Sequence, residues 1–168
     1  TEISEDEMIR RNNEELVAAW GNLVQRVFTQ IQNNFSKISE IDEANDVDKK
    51  LLKKMSESYN IVGQLVEKVE LKAALQESMR YVSKVNGYLN ETEPWKVIKE
   101  DEKRAGRILY TALEAIDSCA NLLYPFMPST SDLVRSAIPR ETENLWGLNK
   151  IKTGVELKEI GLLFNKFD

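Results

Sequence analysis

The apolar residues of this chain recur at spacings of three and four. Leu16, Trp20, Leu23, Val27, Ile31 and Phe35 set the pattern. Such a stripe falls on one face of an α-helix; a strand would alternate its faces every second residue. It predicts a first helix from about residue 5 to the mid-thirties. Ser4 and Glu7 suit a capping box at its start, and Gly21 near its middle permits close packing or a slight bend. Polar residues 36–45 read as a loop. A second stripe, Leu52, Met55, Tyr59, Val62, Val66 and Val69, follows a start near Asp46 or Asp48, whose carboxylates suit a helix N-terminus. A third carries Leu71, Leu75, Met79, Val82 and Leu89, with a short turn expected near Glu67 to Glu70.

Pro94 interrupts the pattern, with Thr92 or Glu93 as the expected cap of a short segment containing Trp95, Val97 and Ile98. A long helix from about Asp101 then carries Ile108, Leu109, Ala112, Leu113, Ile116, Ala120 and Leu123. It ends at Tyr124-Pro125-Phe126-Met127-Pro128, and a shorter helix spans roughly Ser129 to Ile138. With only 7 Gly and 4 Pro in 168 residues, long helices are favoured over a turn-rich sheet. The fold class expected is all-α: an antiparallel bundle of four to five helices over residues 1–140. Residues 141–168, with Trp146, Gly147, Gly154, Gly161 and Leu162-Leu163-Phe164, read as an irregular tail packing on the bundle or on a further domain.

Composition narrows function by exclusion. The chain has no histidine and one cysteine, Cys119, which removes the commonest general base, the commonest metal ligand and any thiolate zinc site. No glycine-rich phosphate loop occurs. No catalysis by this chain and no bound metal or cofactor are expected. The lone Cys119 fits a reducing compartment and a buried small apolar role. No apolar run reaches membrane-spanning length, and the acidic start is unlike a signal peptide. The expected location is the cytoplasm, with no membrane partner. A net charge of −5 and a pI near 5.0 argue against coating duplex DNA. They leave room for a small patch that reads a few exposed bases.

Asn22 and Arg26, four apart on one helix face, would offer an amide beside a guanidinium fork. Trp95 follows a proline at a helix start, where positions are commonly exposed. A stacking plane with an Asn/Arg pair is what unstacked RNA bases require. Taken singly, Trp95 could as well plug the bundle end, and Asn22 and Arg26 could be ordinary surface residues. Lys96, Lys99, Lys103, Arg104 and Arg107 follow Trp95 and could contact phosphates, Lys96 and Lys99 first among them. The interspersed Glu93, Glu100, Asp101 and Glu102 make a salt-bridged solvent face equally open. Lys54-Met55-Ser56-Glu57-Ser58 resembles a class I synthetase loop, but it lies within a helical stripe with Met55 as a core position and is assigned to chance.

Several segments together resemble the anticodon-binding domain of the methionyl-tRNA synthetase family. They are Arg10 to Leu16, Trp20-Gly21-Asn22-Leu23-Val24-Gln25-Arg26-Val27, Asn86-Gly87-Tyr88-Leu89-Asn90 with Pro94-Trp95, and Leu123 to Pro128. The tail with Trp146-Gly147-Leu148 and Leu163-Phe164 is also similar to the end of that synthetase's core. The resemblance implies a class I helix bundle that recognises the CAU anticodon of tRNA(Met). Trp95 would stack on the first anticodon base, a cytosine. Asn22 would bond base edges, and Arg26 would contact the bases or their backbone. Asn86, Tyr88 and Asn90 would shape the adjacent helix end; Asn90 stands where some members carry Asp. The parent enzyme would ligate methionine to its tRNA with ATP and magnesium, with zinc in some members. This chain would be its recognition module, partnered by the anticodon stem-loop and the enzyme's own catalytic domain. The rival readings are an anticodon module of another class I synthetase, a free-standing tRNA-binding bundle, and an acidic helical domain that contacts proteins.

Overall fold

In the computed structural model, residues 2–35, 41–154 and 157 are described, with side chains from Glu14 onward in the first helix. The helices are α1 (Glu2–Asn34), α2 (Asp46–Glu67), α3 (Leu71–Thr92), the one-turn α4 (Pro94–Val97), α5 (Glu102–Leu123) and α6 (Pro128–Ala137). The expected all-α bundle is what forms. Among the described residues the nearest thing to a sheet is one antiparallel bridge, Arg140 to Ile151.

α5 is the axis of the bundle. Sixteen of its 22 residues are buried, so it is wrapped nearly all round, as a central helix should be. Trp20, Leu23, Val27 and Ile31 of α1 pack into the same core as Met55, Tyr59 and Val62 of α2 and Val82, Val85 and Leu89 of α3. Cys119 and Met55 are both buried, as the stripes imply. Burial raises the Cys119 thiol well above its usual value, which makes it an inert apolar group.

The caps differ in detail from expectation. α1 begins at Glu2, so the backbone at Ser4 is already helical; the side chains of Ser4 and Glu7 lie outside the described residues. α2 is capped by Asn45, whose side chain accepts from Asp48 N–H at 3.1 Å while Asp48 accepts from Asn45 N–H at 3.0 Å. Val69 and Leu71 were expected on the core stripe. Instead they are 75% and 50% exposed, because the chain turns there and Val69 adopts a left-handed φ of 58°. At α4, neither expected residue caps with its side chain. Glu93 holds the cap position at φ 47° without a side-chain bond, and Thr92 Oγ1 donates back to Tyr88 O at 2.8 Å.

Residues 140–151 pack on the bundle. Trp146 meets Tyr59 edge-on, ring centroids 5.2 Å apart, and its Nε1 donates to Tyr59 O at 3.2 Å. Beneath it Gly63 leaves room: a Cβ there would stand 3.4 Å from Trp146 Nε1. Asn149 ties the segment to α5. Its Nδ2 donates to Asp117 Oδ2 at 3.1 Å, and its Oδ1 accepts from Thr142 Oγ1 at 2.8 Å and Asn144 N at 2.7 Å. Burial pushes the Asp117 carboxyl up, opposed by Asn149 and Arg140. Gly161 and Leu162-Leu163-Phe164 lie outside the described residues.

Candidate nucleic-acid interface

Arg26 meets Asn90 and Trp95, both distant from it in sequence, where α1 passes the end of α3. The Arg26 guanidinium lies over the Trp95 ring, 4.7 Å from its centroid. Its Nη2 donates to Asn90 Oδ1 at 3.2 Å. Trp95 is half-buried and Asn90 exposed. Asn22 is exposed one turn before Arg26 on α1, and Asn86 is half-buried one turn before Asn90 on α3.

Backbone chemistry explains why Trp95 stands there. Glu93 N–H still bonds to Leu89 O at 2.9 Å and closes α3. The left-handed turn at Glu93 then reverses the chain, and Pro94, with its fixed φ and no N–H to satisfy, opens α4. Pro94 itself is buried, so Trp95 is held at a rigid corner. The result is an aromatic plane with a cation on it, flanked by amides: donors and acceptors suited to base edges, beside a ring suited to stacking.

Tyr88 is not exposed on this surface. It is buried, and its hydroxyl donates to Asp48 Oδ1. Asp48 also receives a bidentate bond from Arg104, at 2.6 and 2.9 Å. Burial would raise the Asp48 carboxyl; bonds from Arg104, Tyr88 and Asn45 N–H outweigh it and hold the pKa below the usual carboxylate value. The Tyr88 phenol is raised well above its ordinary value by burial and by Asp48. The ion pair joins α2 to α5, and the Tyr88 hydroxyl ties α3 to it from the helix turn that carries Asn86 and Asn90.

The run of cations after Trp95 divides. Arg104 belongs to the internal pair just described. Arg107 Nε donates to Asp42 O, and its guanidinium lies over Tyr110. Lys96 is exposed but paired with Glu93 at 2.7 Å. Lys99 and Lys103 are exposed. Sequence reasoning found Arg26, Trp95 and Asn90 but not that they touch. It missed the Asp48–Arg104 pair altogether, since 56 residues separate the partners.

Comparison with known proteins gives the family. A family model described as the anticodon binding domain of methionyl tRNA ligase matches residues 38–168. The chain belongs to that family. Trp95, Asn86 and Asn90 fall inside the matched segment; Asn22 and Arg26 precede it. The methionine–tRNA ligase of Chloroflexus aurantiacus is 42% identical over 131 residues, covering 78% of this chain and 22% of that protein. That of Bifidobacterium longum is 40% identical over 156 residues, covering 92% and 24%. The chain thus spans under a quarter of these relatives. The structure of Mycobacterium tuberculosis methionyl-tRNA synthetase bound by methionyl-adenylate superposes with a TM-score of 0.78 at 21% identity, covering 91% of this chain and 32% of that one. At that identity the likeness speaks for the fold of this methionyl-tRNA ligase domain. Within it, no described helix is long and apolar enough to cross a membrane.

Proposed function

We propose that the Arg26–Asn90–Trp95 face binds the CAU anticodon loop of tRNA(Met), as the recognition module of a methionine–tRNA ligase. The observation that carries this is the contact of Arg26 with both Trp95 and Asn90. It draws an aromatic plane, a guanidinium fork and an amide together on one surface. The first anticodon base, a cytosine, stacks on Trp95. Asn22 and Arg26 bond base edges, with Asn86 and Asn90 shaping the helix end beside them. Tyr88 acts behind the surface through Asp48, as a positioning residue. Lys96 and Lys99 remain available for phosphates, Lys96 once Glu93 releases it. A few such contacts discriminate strongly without a basic surface, because a wrong base leaves a polar protein group unpaired.

Methionine activation with ATP and magnesium belongs to the catalytic part of the longer ligase, the second partner of this domain. The residues here do not fit a zinc site: the chain lacks histidine, and Cys119 is buried and held protonated.

The test is a titration with two anticodon hairpins, one carrying CAU and one with a changed first base, followed by tryptophan fluorescence. Stacking is worth about 1–3 kcal/mol per base. Trp95→Ala should therefore weaken CAU binding roughly 5- to 150-fold. Trp95 is partly buried against the core, so the variant's melting temperature is measured alongside and binding is compared well below it. Equal affinity for both hairpins in the parent would refute the reading.

A further inference from the structure

A second feature adjoins that face. Between the first half of α2 and the second half of α3 lies an open groove of about 400 Å³, lined by Lys50, Lys54, Lys84, Gly87, Asp46 and Glu91 over a floor of Leu51 and Tyr88. We propose that this groove is a track for the sugar-phosphate backbone of the bound RNA, with Lys50, Lys54 and Lys84 on phosphates. The inference rests on the recognition reading above and extends it to a surface that contacts no base edge.

Three observations carry it. Lys50 and Lys54 are spaced i, i+4 and share one face of α2, with Lys84 across from them on α3. No ion pair engages any of these lysines among the described residues. The groove carries a net positive charge on a chain whose total is −5. The carboxylate closest in sequence to this cluster, Asp48, is neutralised from the inside by Arg104.

Gly87 supplies the second line of argument. It sits inside a 22-residue helix, where glycine is destabilising relative to alanine. No protein atom explains it, since a Cβ there would meet nothing within 4 Å. A missing side chain that the fold does not need is what close approach by a ligand needs.

The third point is placement. Lys84, Gly87 and Glu91 form a stripe on α3 about 100° round from Asn86 and Asn90. A strand leaving the recognition face therefore crosses Gly87 to enter the groove. Phosphate contacts fix register and orientation, whereas base contacts specify. The groove should thus set affinity and salt dependence and leave discrimination to the base-edge contacts of Asn22 and Arg26.

The experiment compares the parent chain, a Lys50→Gln/Lys54→Gln/Lys84→Gln variant, and a control with equal charge loss at exposed distant sites, Lys68→Gln/Lys72→Gln/Lys152→Gln. Each is titrated with the CAU and changed hairpins from about 50 to 200 mM salt. Each single-strand phosphate contact contributes about 0.7 to the slope of log affinity against log salt, so the groove variant should lose about two units of slope. Across that salt range it should forfeit roughly 16-fold less affinity than the parent, with an unchanged CAU preference ratio. The control should follow the parent. An unchanged slope in the groove variant overturns the proposal while leaving the anticodon reading standing, and so does an equal loss in the control. A slope loss on hairpins that the parent does not tell apart supports the groove and overturns the anticodon reading. Gly87→Ala should melt higher than the parent yet bind both hairpins more weakly; undiminished binding would overturn the close approach at this glycine.

Discussion

Replacing Asp48 with Asn removes the negative charge at the centre of this bundle. The amide has one acceptor oxygen where the carboxylate has two, so along with the charge facing Arg104 it gives up either the bond from Tyr88 or the bond from Asn45 N–H. Arg104 is then left with its side chain 19% exposed and no counter-ion. Breaking a fully buried pair by removing one partner costs about 3–5 kcal/mol. The remaining solvent contact of Arg104 lowers that to about 2–3 kcal/mol. For a chain of this size each kcal/mol shifts the melting point by about 2–4 °C, so Asp48→Asn should melt about 5–10 °C lower at pH 7 by circular dichroism. The sign with pH follows from the depressed pKa. Stabilisation by Asp48 is complete above the ordinary carboxylate value near 3.9 and is lost as pH falls through the lower folded value. The gap between parent and variant should therefore close in strong acid. Adding Arg104→Met should recover at least half the loss at pH 7, because the orphaned cation goes with it. A variant as stable as the parent at pH 7 would refute the argument. So would a gap undiminished near pH 2, or a double variant no better than the single.

Two further changes test local physics. Val69→Gly should raise stability by about 1 kcal/mol, or roughly 2–4 °C: the position follows the C-cap of α2 at φ 58°, where a β-branched residue is strained and glycine is at ease. A lower melting point would show that the turn gains from valine in a way its exposure hides. Burial pushes the Glu114 carboxyl up to about 7, against the pull of Arg107 and Lys150. The folded chain then keeps a proton that the unfolded chain releases, so stability should fall as pH rises from about 4.5 to 7. Glu114→Gln should match the parent near pH 4 and exceed it by up to about 3 kcal/mol at pH 8. An equal offset at both pH values would contradict the assignment.

The helices were legible because their apolar stripes are nearly unbroken and their punctuation, Pro94 and Pro128, is strong. α5 was the easiest, since a central helix writes its burial on every side. Val69 and Leu71 misled because periodicity runs straight through a turn that has no Gly or Pro to mark it. At the candidate site, the residue types of Asn22, Arg26 and Trp95 were readable, and the family's motif supplied Asn86 and Asn90. The contacts were not: Arg26 reaches Asn90 across 64 residues. Charge was read worst. Arg104 sits among lysines and looks like one more surface cation, yet its partner Asp48 lies on another helix. Lys50, Lys54 and Lys84 share a groove that no window of sequence contains.

The corner at Glu93–Pro94 has a kinetic consequence. A proline-fixed φ, a left-handed cap residue and an i, i+3 ion pair from Glu93 to Lys96 leave the segment carrying Trp95 with little freedom before any partner arrives. The ordering entropy of that segment is lost once, when the chain folds, and does not recur at each encounter. If this corner presents the stacking plane, association proceeds without a slow rearrangement of the protein, and the loop that must splay its bases becomes the slower partner. Loosening the corner with Glu93→Gly/Pro94→Ala would then slow capture while leaving the chemistry of the contact intact.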